Sequence, residues 1–180
     1  MAYIRPIDRS QADSSINITL DAIKAKLGKV PNLFLTLATT PVALNAYVQL
    51  GDVVGRGKLN AKQREQIALT VGEANSCEYC LAAHSAIGDM VGLKPAQIAA
   101  AREARADTAR DSAMLQLARA IIEHRGNVPT GELDTFKATG LSDGDVLEVL
   151  VNVVLNIYTN YANHIARTQV DFPAAAQLAA

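Results

Sequence analysis

The chain has 180 residues, 49% of them hydrophobic and 19% charged, with a formal net charge of −1. That length and apolar content favour one well-buried domain over a disordered chain. The near-neutral charge, the scattered Lys and Arg and the absence of Trp exclude the basic footprint and stacking platforms of a nucleic-acid binder.

The N-terminal run MAYIRPIDRSQAD has no apolar segment of the kind a secretory signal needs. The longest apolar stretch, 146–158, is interrupted by Glu148, Asn152 and Asn156 and is too short to cross a bilayer. A cytoplasmic protein without a membrane partner is the expectation. There are only two Cys, close together in sequence, where a small secreted scaffold would carry more.

Helix punctuation recurs along the whole chain. A first helix over 15–27 stops at Gly28, and a short one over 32–38 lies between Pro31 and Pro41. Pro41 opens the next, which runs to about 54 and is broken by Gly55 and Gly57. Asn60 reads as an N-cap with Gln63 as its capping-box partner, followed by AKQREQIALTVGEAN. Asn75 and Ser76 are turn-prone, and a further helix runs from about Cys77 to near Gly92. Pro95 opens a short helix, Asp107 or Thr108 caps a longer one ended by Gly126, and 130–139 is closed by Gly140. Ser142 or Asp143 starts the longest, over 143–168, and the tail DFPAAAQLAA reads as a partly ordered extension. The expected fold is all-α: a single-domain bundle of about eight helices over 1–180, with a core motif at 59–92.

Chemistry concentrates at Cys77-x-x-Cys80-x-x-x-His84. Steps of three and four place all three side chains on one helical stripe, with Cys77 in the first turn. A helix N-terminus favours the thiolate, which is the reactive form of Cys. His84 can take or relay the Cys80 proton, and a second thiol can resolve an oxidised first one as a disulfide. Two other readings stand beside this one. The cysteines can be plain core residues, with His84 a satisfied buried histidine. They can also bind zinc with His84 and a fourth ligand, although the sequence has no second CxxC and no HxxxH. Haem attachment needs CxxCH, and Leu81 occupies that position. Upstream, Glu65 borders the apolar face of its helix, and a short turn at Asn75–Ser76 would let it reach the His84 side; the alternative is a solvated surface charge.

The run LNAKQREQIALTVGEANSCEYCLAAHSAIG resembles the core signature of the alkylhydroperoxidase D (AhpD) and carboxymuconolactone decarboxylase-like superfamily. That signature is a Glu, eleven residues, then Cys-x-x-Cys-x-x-x-His, and Glu65, Cys77, Cys80 and His84 match it position for position. Tyr79 fits the frequent C-x-Y-C form, where the best-studied member carries a His. The segment NVVLNIYTNYANHIARTQVDFP is similar to the C-terminal part of the peroxidase-related branch. The resemblance implies an oligomeric helical peroxidase that needs no cofactor or metal. In it Cys80 attacks a small hydroperoxide, Cys77 resolves it, and Glu65, His84 and a water relay the proton. A dithiol or protein reductant would complete the cycle.

Asn152, Asn156, Asn160 and His164 recur at steps of four along the last helix, which is otherwise apolar. Uncharged polar groups in such a setting fit a buried network or a subunit interface better than a solvated stripe. Asn160, His164 and Tyr79 are therefore candidate supporting residues. The high apolar content and the Ala runs at 99–101 and 174–176 point to a homo-oligomer built on dimers, extending to a trimer or hexamer. Two rival functions remain: a cofactor-free decarboxylase-like lyase using His84 or His164, and a non-catalytic redox sensor.

Overall fold

The computed structural model describes residues 2–178, and caps and breakers set its helix boundaries. After a 3-10 turn at Arg9–Gln11 come α1 (Ser14–Leu27), α2 (Asn32–Leu37), α3 (Pro41–Gly55), α4 (Ala61–Ala74) and α5 (Glu78–Met90). They are followed by α6 (Pro95–Arg102), α7 (Ala109–Glu123), α8 (Thr130–Ala138) and α9 (Asp143–Ala166), with no strand among the described residues. These nine α-helices among the described residues are the nine segments expected one by one from the sequence, α2 and α6 included, against an expected total of about eight. Asn60 accepts from the Gln63 N–H and Gln63 from the Asn60 N–H, closing the capping box at α4. Gly28 leaves α1 through the left-handed region at φ 76°. The last helix stops at Ala166, short of the expected 168, because Arg167 adopts the same conformation at φ 49°.

The central element is α4. Its residues 66–72 are all buried, and it packs against α5, α6, α7 and α9. A helix enclosed on every side must satisfy its polar groups internally. Thr70 does so by donating to the Gln66 carbonyl at 3.0 Å and the Ala101 carbonyl at 2.6 Å.

The α4–α5 connection is tight. Ser76 takes a positive φ of 53°, and the Cys77 N–H returns to the Gly72 carbonyl at 2.8 Å. A methyl group at Gly72 would sit 3.3 Å from Leu81 Cδ2 and 3.7 Å from Cys80 Cβ, so the glycine lets the two helices meet closely beneath the cysteines.

The core has two parts. One lies between α4, α7 and α9, around Leu69, Leu115, Leu117, Val149 and Val153. The other joins α1, α2 and α3 to the start of α5 and contains Leu20, Leu33, Phe34, Leu44, Cys77 and Cys80. The chain ends tie this second part down. Tyr3 and Ile4 N–H groups bond the Ala166 carbonyl, and the tail returns over α5 through Asp171 and Phe172. Among the described residues no helix is long and apolar enough to cross a membrane.

Candidate active site

Cys77 is the N-cap of α5 and Cys80 lies in its first turn. Both are free thiols, 1% and 2% exposed, with sulfurs 2.6 Å apart. Cys80 borders a cavity of about 620 Å³, and Cys77 lies behind it. Leu33, Phe34, Tyr47, Val48 and Phe172 wall this cavity, while Cys80, His84 and Glu65 supply its reactive groups.

The tight α4–α5 hairpin places Glu65 against His84, with Oε2 2.7 Å from Nδ1. Both side chains are mostly buried, at 17% and 18% exposure. Burial disfavours the His84 imidazolium, but the Glu65 charge and hydrogen bond outweigh it, aided by Cys77, and its pKa stands above the ordinary 6.5. Glu65 thus faces the site and is not a solvated surface charge.

The two thiols shift each other's acidity in opposite directions. A hydrogen bond from Cys80 lowers the Cys77 pKa against the effect of burial, with help from the Cys80 backbone N–H, His84 and Asn163. Cys80 is pushed up, first by that same hydrogen bond, then by burial and the Cys77 charge. Of the two thiols, Cys77 is the more readily ionised.

The Tyr79 hydroxyl is engaged on both sides. Its hydroxyl donates to Asp171 Oδ1 at 2.7 Å and accepts from the Leu33 N–H at 3.1 Å. Burial first, then Asp171 and Cys80, push its pKa above the ordinary tyrosine range, although the Leu33 bond acts the other way. Its ring meets Phe172 edge-on at 5.9 Å, and Lys29 sits 3.9 Å over Phe172. Tyr79 therefore latches the C-terminal segment to the cysteine helix.

The polar stripe on α9 needs correction. Asn152 and Asn156 donate to carbonyls one turn back on their own helix, Glu148 at 2.7 Å and Asn152 at 2.8 Å. Asn160 accepts from Asn75 Nδ2 at 2.9 Å. His164 leaves the site altogether: it is exposed and stacks on Tyr161 at 6.4 Å. Its place is taken by Asn163, whose Nδ2 reaches Cys80 Sγ at 3.3 Å. At about 100° per residue, twelve residues from Asn152 drift by about 120°, whereas eleven return to within about 20°. A strict step of four hides this, and a 3.6-residue period finds Asn163. Tyr47, unremarked in the sequence, borders the same cavity, with burial raising its pKa to about 12. Among the described residues no group of three or more His, Cys, Asp or Glu is placed to hold a metal ion.

The family model for the carboxymuconolactone decarboxylase family matches residues 41–123, which include Glu65, Cys77, Cys80 and His84. A solved AhpD-core structure, a peroxidase-related protein from Ralstonia eutropha JMP134, superposes with a TM-score of 0.85 at 24% identity, covering 94% of this chain and 92% of that one. A peroxidase-related protein from Silicibacter sp. TM1040 follows at 0.78 and 24%, covering 93% and 92%. Residues 41–123 are thus similar to the carboxymuconolactone decarboxylase family, and the whole chain has an AhpD-like all-helical fold. The all-helical fold is also similar to that of the debrominase Bmp8, solved with 2,3,4-tribromopyrrole, at TM-score 0.81 and 20% identity over 94% of this chain and 91% of that one. No curated protein matches the sequence.

Proposed function

We propose that the protein is a thiol-dependent peroxidase that reduces small organic hydroperoxides through a Cys77–Cys80 dithiol cycle. The observation that carries this reading is the cavity, where Cys80 and a Glu65-paired His84 face the same space. The proton on Cys80 moves to Cys77, so the thiolate passes to the sulfur that faces substrate. Cys80 attacks one peroxide oxygen and the O–O bond breaks. The leaving alkoxide takes the proton of the His84 imidazolium and departs as alcohol. The Cys77 thiol then attacks the Cys80 sulfenic acid, forming the disulfide and releasing water. An external dithiol reduces the disulfide by exchange. No cofactor takes part in these steps.

The test is peroxide consumption with several dithiol donors, comparing wild type with Cys80→Ser. Turnover in the wild type and none in the variant is the expected result. Activity that survives loss of both cysteines would favour the lyase reading, and oxidation without turnover would favour the redox sensor. A second enzymatic reading follows from the aromatic walls of Phe34, Tyr47 and Phe172. With the debrominase as a fold neighbour, the same dithiol could reduce a brominated ring, yielding disulfide, ring C–H and bromide. Bromide release from a polybrominated pyrrole checks it.

The peroxidase reading includes a cytoplasmic homo-oligomer. Leu147, Leu150, Val154, Tyr161 and Ile165 are exposed at steps of three, four and seven along the outer side of α9. This apolar seam, where His164 also lies, is the proposed subunit contact.

A further inference from the structure

On α9, Asn163 touches Cys80, and Asn160 lies one turn before it. Asn163 donates from Nδ2 to Sγ at 3.3 Å. Asn160 is held by its other end: Oδ1 accepts from Asn75 Nδ2 at 2.9 Å, which fixes the amide and leaves its own Nδ2 to spare. That Nδ2 is buried and has no partner among the described residues, and the residue is 0% exposed. Asn163 is 4% exposed, and its Oδ1 is also buried without a partner. An unpaired buried donor costs free energy until an acceptor appears, and an anion is the strongest acceptor. A neutral Cys80 thiol is a poor one.

We propose that Asn160 and Asn163 form an amide cradle that receives the thiolate on Cys80 when the charge passes from Cys77. The transfer moves one proton from Cys80 to Cys77 and changes no oxidation state. The cradle makes the outward-facing sulfur the nucleophile, although the inner thiol is the more readily ionised. The hydrogen bond that Cys80 donates to Cys77, burial and the Cys77 charge raise the Cys80 pKa, while the amides of Asn163 and Asn160 oppose them. The other titratable groups around Cys80 are Cys77, Tyr79 and His84 at and after the α5 N-cap, Glu65 on α4 and Tyr47 on α3, with Asp171 behind Tyr79 and Lys26, Asp52 and Arg56 also lining the cavity. From α9, amides and Thr159 meet it.

The inference deepens the peroxidase reading, but its test uses no peroxide, so the two can fail separately. In a Cys77→Ser background Cys80 is the only thiol. Its ultraviolet thiolate absorbance against pH and its alkylation by iodoacetamide therefore report on one group. Replacing Asn163 or Asn160 by Leu should move the midpoint upward and slow alkylation at neutral pH by about 10- to 100-fold, as expected for a lost hydrogen bond to a charged group. Asn163→Ser, smaller and still polar, should shift the same way if the leucine variant does not fold. A purely structural role would lower thermal stability and leave the midpoint in place. An unmoved midpoint in variants with native helix content overturns the cradle.

Discussion

Replacing Glu65 by Gln probes the proton path with little change of shape. The amide oxygen can still accept from His84 Nδ1 across the present 2.7 Å, so the ring keeps its orientation and loses only the facing charge. Two unit charges about 4 Å apart at an effective dielectric of about 20 attract by roughly 4 kcal/mol, before burial is subtracted. In the wild type that attraction wins, and the His84 midpoint lies above 6.5. Without it burial acts unopposed by Glu65, and the midpoint should fall below 6.5. A histidine NMR titration of both proteins reads this directly. The sign carries into stability. A raised folded-state pKa stabilises fully below the unfolded value and is lost as pH rises through the folded one. The stability gap between wild type and variant should therefore be widest on the acid side of 6.5 and close above the wild-type His84 midpoint. Peroxide turnover should drop by about 10² to 10⁴, the range for losing a general acid. An unmoved His84 midpoint, or unchanged turnover, would refute the Glu65–His84 relay.

The two cysteines should differ in kind. Cys77→Ser should still consume one equivalent of peroxide and stop at a sulfenic acid that a carbon nucleophile traps, while Cys80→Ser should form none. Tyr79→Phe removes the hydroxyl from Asp171 and leaves the Leu33 N–H unpaired; it should cost about 1–3 kcal/mol in denaturant unfolding. Light scattering at micromolar concentration should give a multiple of 19.1 kDa, and Leu150→Lys on the outer seam of α9 should reduce it to one copy. A wild-type mass of one copy would remove the subunit contact.

The helices were readable because their ends are written locally. Asn60 with Gln63, Pro41 and Gly28 each act within four residues of the boundary they set. The Glu65-to-His84 contact was also legible, since two helices joined by the Asn75–Ser76 turn must run back on each other. What escaped depends on geometry that sequence spacing does not carry. The latch joins Tyr79 to Asp171 across about half of the chain, and nothing local marks either residue as a partner. Asn163 was passed over because its neighbour His164 completed a tidy four-step series, whereas rotation along a 24-residue helix separates the two. The difference in acidity between Cys77 and Cys80 depends on which sulfur donates, and both occupy the same stretch of helix N-terminus.

The most direct measurement is a single turnover. Reduced protein mixed with one equivalent of an organic hydroperoxide should lose two thiols per peroxide consumed, with mass spectrometry of the digest showing a Cys77–Cys80 disulfide and the alcohol appearing in equal amount. Peroxide that persists beside intact thiols, or is consumed at the same rate by the protein lacking both cysteines, would contradict the account.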